Sequence, residues 1–177
     1  MEWKNVIEFW FMTITPKQWY TNDPAFDERV RSRFLVTYNK VVKGETKEWR
    51  NHPEGRLAEI IVLDQFARNM FRNTPQAFAH DHLALSLAEE AVRIGDDQKI
   101  PSTYRAFIYM PYMHSEDRKV HEKAMQLFES LGGDNAAYEK AHREIINKFG
   151  RYPHRNNILG RISTPEELEF MKTHSGF

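Results

Sequence analysis

The chain has 177 residues, with 25 Lys plus Arg balanced by 25 Asp plus Glu, and no cysteine. Zero net charge argues against a general nucleic-acid binder, which would carry a basic excess, and the missing cysteines exclude disulfides, thiolate chemistry and thiolate metal sites. No apolar run approaches the roughly 18 residues of a membrane span, and the opening MEWKNVIEFWF does not read as a signal peptide. The expectation is one soluble, cytoplasmic, bacterial-style domain over residues 1–177, with no membrane or nucleic-acid partner.

Apolar and aromatic residues recur at helical spacing, and no segment alternates with period two, so the predicted fold class is all-α. A short first helix holds Val6, Ile7, Phe9 and Trp10, and TPKQWY follows as a loop or single turn. Asp23 caps and Pro24 opens a second helix, lined by Val30, Phe34, Tyr38 and Val41 and stopped at Gly44. WRNHPEG is a break. A third helix starts near Pro53 or Glu54 and runs unbroken through IIVLDQFARNMFR.

In NTPQ, Thr74 reads as a cap and Pro75 as the start of a helix running to Gly95. DDQKIP is a polar loop, and STYRAFIYM is a short aromatic helix stopped by Pro111. Ser115 caps the next helix, with Glu116 and Asp117 in its first turn, and that helix ends at Gly132–Gly133. Another spans about Asn135 to Phe149 and stops at Gly150. Thr164 and Glu167 stand at capping-box spacing around Pro165. Amphipathic helices joined by short polar breaks suggest antiparallel pairs. LAEEAVRIG and AMQLFESLG end alike, 37 residues apart, close to a tetratricopeptide period, although the full repeat consensus is absent. Trp3, Trp10, Trp19 and Tyr20 are read as core rather than dimer contact.

Three stretches could carry chemistry. On a helical wheel Leu57, Ile61, Asp64, Arg68 and Arg72 share one side, with Gln65 at its edge, while Phe66 and Met70 occupy the opposite side. A helix apolar on both faces is central, so its polar end either emerges as an Asp64–Arg68 pair or lines an internal site. In YMPYMHSED, Tyr112, His114 and Ser115 precede a helix N-terminus, a place suited to anions; His114 is a candidate acid or base, or it packs on the preceding turn. FGRYPHRNNILGR holds Arg151, His154, Arg155 and Arg161 and no acid in thirteen residues. Guanidiniums in such a cluster need carboxylate partners or an anionic ligand.

Two other patterns weigh less. Glu139 and His142 form an E-x-x-H, a di-iron element only in paired copies, so a solvated helix face is expected. HDH at 80–82 puts adjacent side chains on diverging directions, so no metal site is expected there. No phosphate loop, nucleophile elbow or zinc signature is present, and no cofactor is implied.

LDQFARNMFR, YMPYMHSED, FGRYPHRNNILGR and STPEELEFM, together with the opening VIEFWF and WY…FD, resemble the bacterial family of domains of unknown function numbered 924 over nearly the whole chain. The resemblance implies a tetratricopeptide-like helical fold and no established activity. It also implies that Asp64, Gln65, Arg68, Asn69, Arg72, His114, Ser115, Glu116, Arg151, His154, Arg155, Asn156 and Arg161 form one recurring constellation. The leading expectation is a polar pocket between the central and C-terminal helices, with Asp64, Gln65, Arg68, Asn69, Arg72, Arg151, Arg155, Asn156 and Arg161 binding a small anionic metabolite. His114 and His154, helped by Glu116 or Asp64, are the candidate catalytic groups, whether or not the site turns anything over. The alternatives are a scaffold gripping a peptide or protein and a purely structural polar network.

Overall fold

The computed structural model describes residues 2–174 and 176. Among them the regular structure is entirely helical: α1 (Glu2–Glu8), α2 (Pro24–Val42), α3 (Pro53–Ile61), α4 (Ala67–Met70), α5 (Asp81–Arg93), α6 (Ser102–His114), α7 (Arg118–Leu131), α8 (Asn135–Phe149) and α9 (Pro165–Thr173), with short 3₁₀ and π turns between them. The all-α expectation holds. The contacts divide the chain into two compact units, one built from residues 1–72 and 76–111, the other from 73–75 and 112–177.

In the N-terminal unit α1 packs on α3, α3 on α5, and α2 on α4. Phe66 sits at the centre of this packing, its ring 4.6 Å from Phe34, 5.5 Å from Trp10 and 5.9 Å from Phe9. Such aromatic contacts add to the area term of burying a whole side chain, about 2–3 kcal/mol each. The polar-tipped helix is continuous from α3 to α4, but residues Val62–Phe66 form a π turn. Asp64 and Phe66, within this turn, are both fully buried, as are Leu57 and Ile61 before it.

In the C-terminal unit α7 and α8 form a helical hairpin, and the C-terminal end of α8 packs Ile145 and Ile146 against Tyr152, with Phe149 and Phe170 at the margin. Gly132, at the C-cap of α7, has φ +71°, and Gly95, after α5, has φ +76°. Both glycines take positive φ, but Gly132 is itself the C-cap of α7, whereas the C-cap of α5 is Ile94 and Gly95 follows it.

Most predicted boundaries hold: Asp23 accepts from the Ala25 amide at the start of α2, α8 spans the expected residues before Gly150, and Thr164 and Glu167 make the reciprocal capping box. Five details differ. Pro111 does not stop its helix; α6 continues to His114, because one missing N–H removes one bond while the flanking turns stay packed. Pro75 opens only a 3₁₀ turn to Ala77, and α5 begins at Asp81. Asp117, not Ser115, is the N-cap of α7, accepting from Lys119 N, while the Ser115 hydroxyl accepts from Asp117 N. Glu139 and His142 lie in the interior rather than on a solvated face. Tyr20 is exposed, whereas Trp3 and Trp10 are core.

Candidate functional site

Asp64, Gln65, Arg68, Asn69 and Arg72 are grouped in the N-terminal unit and meet two acids that the sequence reading did not single out. The Gln65 amide donates to Asp64 Oδ2 at 2.6 Å, and Arg68 Nη1 stands 3.3 Å from Asp64 Oδ1. Arg68 also forks onto Asp81, Nη1 to Oδ1 at 2.8 Å and Nη2 to Oδ2 at 2.9 Å. Asn69 donates to Asp27 Oδ1 at 2.8 Å, and Arg72 straddles the same carboxylate from Nε and Nη2 at 2.5 and 2.8 Å. The π turn and the last turn of the central helix therefore serve two carboxylates, one from the first turn of α2 and one from the start of α5. Asp81 is the middle residue of HDH. Its position in the first turn of a helix was the available signal.

The C-terminal unit gathers the rest around the end of α6. A helix ends with carbonyls that have no intrahelical donor, and here three in succession are taken by side chains. Tyr152 Oη donates to Met113 O at 2.5 Å, Arg155 Nη2 donates to His114 O at 2.9 Å, and His121 Nε2 lies 2.7 Å from Ser115 O. Donors and cationic groups suit the negative end of the helix dipole. Arg155 also stacks over the Tyr152 ring at 4.7 Å.

The next residue, Glu116, accepts the Tyr152 amide at 2.7 Å and a fork from Arg161 at 2.7 and 2.9 Å. Burial raises the affinity of its carboxyl for a proton, but Arg161, the Tyr152 N–H and the nearby Arg155 together outweigh it and hold the group below its ordinary range. Arg161 Nε passes to Asn156 Oδ1 at 2.9 Å, and the Asn156 amide donates to Glu167 Oε2 at 3.0 Å. Arg151 forks onto Glu167 at 2.7 and 2.9 Å. That bond, the Thr164 amide and Asn156 outweigh desolvation and lower Glu167 to about 2. Thus the capping residue of α9 is also the terminus of the arginine motif. His154 lies apart, with Nε2 donating to the His174 carbonyl at 2.7 Å.

The sequence reading set Glu139 and His142 aside and did not name His121. His121 and Glu139 are both fully buried, with Nδ1 and Oε1 2.7 Å apart. His142, one turn after Glu139, donates from Nδ1 to Tyr138 O at 2.7 Å. Burial above all, and then the fields of His114, His121 and Arg155, against the opposing Tyr138 bond, lower it to about 3. Its ring is edge-on to Tyr152. The E-x-x-H spacing was visible; its partner, a histidine on the preceding helix, was not.

Beyond these networks, a shallow groove of about 430 Å³ is lined by Pro153, His154, Asn157, Arg161, Ser163, Leu168 and Met171. Among the described residues no three His, Asp or Glu side chains converge as a metal site would require, and no helix is long and apolar enough to cross a membrane.

The model of the family described as "Bacterial protein of unknown function (DUF924)" matches residues 6–175. The solved "Structure of Protein of Unknown Function ATU0120 from Agrobacterium tumefaciens" is 37% identical, covers 98% of each chain and superposes with a TM-score of 0.93. No curated protein matches the chain.

Proposed function

This chain belongs to the bacterial DUF924 family, and we propose that it is a cytoplasmic, tetratricopeptide-like helical protein that binds a small anionic ligand at the basic end of its C-terminal unit. One arrangement supports the reading: Arg155 Nη2 reaches the His114 carbonyl at 2.9 Å while its guanidinium lies over the Tyr152 ring at 4.7 Å, and the His142 ring stands edge-on to the same tyrosine. Basic groups concentrated in this way repel one another, and an anion placed among them relieves that repulsion. Arg155 and His114 are the ligand-facing candidates. Arg155 supplies a planar fork suited to a phosphate or carboxylate.

The same geometry supports a division of labour within the motif. Arg68 and Arg72 are engaged with Asp81 and Asp27, and Arg151 and Arg161 with Glu167 and Glu116. These four arginines are read as holding the fold. The purely structural alternative is thereby adopted for these four arginines, and binding is put to the test at Arg155.

The test is a thermal-shift titration with inorganic phosphate, nucleotides and di- and tricarboxylates on the full chain. A ligand at about a hundred times its dissociation constant adds about 2.7 kcal/mol, a rise of roughly 5–10 °C for a chain of this size. The expected result is such a rise, accompanied by a change in the His142 ring resonances and lost in Arg155→Lys. A flat titration against every anion class, with the His142 ring unmoved, would refute the reading.

A further inference from the structure

We propose that Arg29 and Arg33, on the solvent side of α2, form a binding site for a phosphate monoester, held between two guanidiniums that rest on one aromatic ring. Both residues are exposed. Arg29 Cζ lies over the Phe9 ring at 5.3 Å from its centroid and Arg33 Cζ over the same ring at 5.0 Å, and the ring itself is fully buried. Cation–π contact at this range is attractive. It occupies the face of a guanidinium and leaves the in-plane N–H groups for an acceptor. Residues four apart on a helix stand on the same side, about 5–6 Å apart at Cβ.

The pair is charged without an answering acid. Among the described residues neither guanidinium has a hydrogen bond or an ion pair. The helix explains why. Positions three and four residues from Arg29 and Arg33 hold Ala25, Phe26, Val30, Ser32, Val36 and Thr37, none of them acidic. The nearby acids, Asp27 and Glu28, stand off that line, and Asp27 is occupied by Asn69 and Arg72. Arg31 faces elsewhere, donating to Met70 O at 3.0 Å and lying over the Phe71 ring. At the far end of the same stripe Lys40 takes Glu2 at 2.8 Å. Like charges at i,i+4 disfavour a helix, and here one ring holds the two together with no carboxylate to offset them. The ligand that completes such a pair carries two negative charges and presents an edge to each fork. A phosphate monoester does both, with about −1.5 to −2 charges at neutral pH and three acceptor oxygens. A carboxylate has one planar edge, which a single guanidinium satisfies. Exposure of both arginines allows the phosphoryl group to belong to a small molecule or to a phosphoserine on another chain.

The site lies in the N-terminal unit and does not rest on the reading at Arg155. The experiment follows the Arg29 and Arg33 side-chain Nε–H resonances of the ¹⁵N-labelled full chain at pH 7. The probes are inorganic phosphate and then a phosphoserine peptide of otherwise neutral side chains, each against sodium chloride at equal ionic strength. The expected result is a saturable shift of both resonances with phosphate and none with chloride, unaltered in Arg155→Lys. Arg33→Gln is expected to weaken the Arg29 response about tenfold or more, the loss of one charge-assisted fork. Arg33→Lys, which keeps the charge and loses the fork, should weaken it several-fold. Tighter binding of the peptide than of inorganic phosphate assigns the site to a phosphorylated protein, and equal binding assigns it to a small phosphate. Resonances that follow ionic strength alone, or a saturable Arg29 response that Arg33→Gln leaves unchanged, overturn the proposal.

Discussion

Arg161 lays both terminal guanidinium nitrogens against the Glu116 carboxylate, at 2.7 and 2.9 Å, and so ties the segment after α6 to the segment before α9. A planar fork on a planar acid fixes orientation as well as distance. Glu116 accepts the Tyr152 amide too, so a single carboxylate closes both ends of the 45-residue span. Removing either partner strands the other in a half-buried position. Arg161→Ala is expected to cost about 2–3 kcal/mol in a urea titration. Arg161→Ala with Glu116→Gln should cost clearly less than the sum of the two single losses. Strict additivity in that cycle would mean that the two side chains do not meet in solution.

The N-terminal unit makes a parallel prediction with an internal control. Asp27 accepts from Asn69 and from two nitrogens of Arg72. Asp27→Ala is expected to cost about 3 kcal/mol, because it leaves a buried amide and a guanidinium without their acceptor. The Lys40–Glu2 pair is equally short at 2.8 Å but is exposed. Glu2→Ala is expected to leave the urea midpoint unchanged, as solvent and salt screen such a pair. Comparable losses in the two variants would show that contact length, rather than burial, sets the energies here.

The relation of sequence to fold explains why some of this was legible. Caps, prolines and terminal glycines act within one helical turn, so Asp23, Pro24, Thr164 and Gly150 marked their ends correctly from local chemistry. Pro111 misled because tertiary packing around the end of α6 outweighs one lost backbone bond. The arginine stretches were visible as unpaired charge, but their acids, Asp27, Asp81, Glu116 and Glu167, come from distant helix starts. Spacing along the chain carries no record of that pairing. The same limit hid the partner of Glu139, since His121 belongs to a different helix. Asp64, placed on the Leu57 side of the wheel, is as fully buried as Leu57, although the helix takes a π turn at Val62–Phe66 that the spacing did not reveal.

Acid should weaken the fold through three groups acting with the same sign. The folded chain holds Glu167 at about 2, Glu116 below its ordinary range, and His142 at about 3. A group depressed in the folded state contributes stability above its unfolded value and loses it as pH falls toward the folded one. For His142 that window runs from about 6.5 downward, and for the two glutamates it opens near 4.3. The midpoint of urea unfolding is expected to fall gently between pH 6.5 and 4.5 and steeply below. His142→Leu should flatten the gentle limb and leave the steep limb in place. A midpoint that is constant from pH 7 to 4.5 would mean that the His142 ring is solvated.

Gly55 offers the sharpest packing test. It lies in the first turn of α3 with no positive φ, so helix propensity alone would favour alanine there by about 1 kcal/mol. Its backbone, however, runs against the preceding turn. An added Cβ would stand 2.0 Å from Trp49 O and 2.8 Å from the Trp49 carbonyl carbon. Those are backbone atoms, fixed from behind by the buried Trp49 indole and by the His52 amide bonded to the same oxygen at 3.0 Å. No rotamer can relieve the clash, so the turn over Lys47–Asn51 must move bodily. Nearby, Glu59 is held by Arg50 at 2.7 Å and by Thr46, so the movement would also strain a fully buried carboxylate. Overpacking of this kind costs about 1–3 kcal/mol or more, enough to exceed the propensity gain. Gly55→Ala is therefore expected to unfold at lower urea than the unmodified chain, with an unchanged slope. A stabilised Gly55→Ala would show that the Trp49 turn is free to yield and that close backbone approach is not what places glycine at this position.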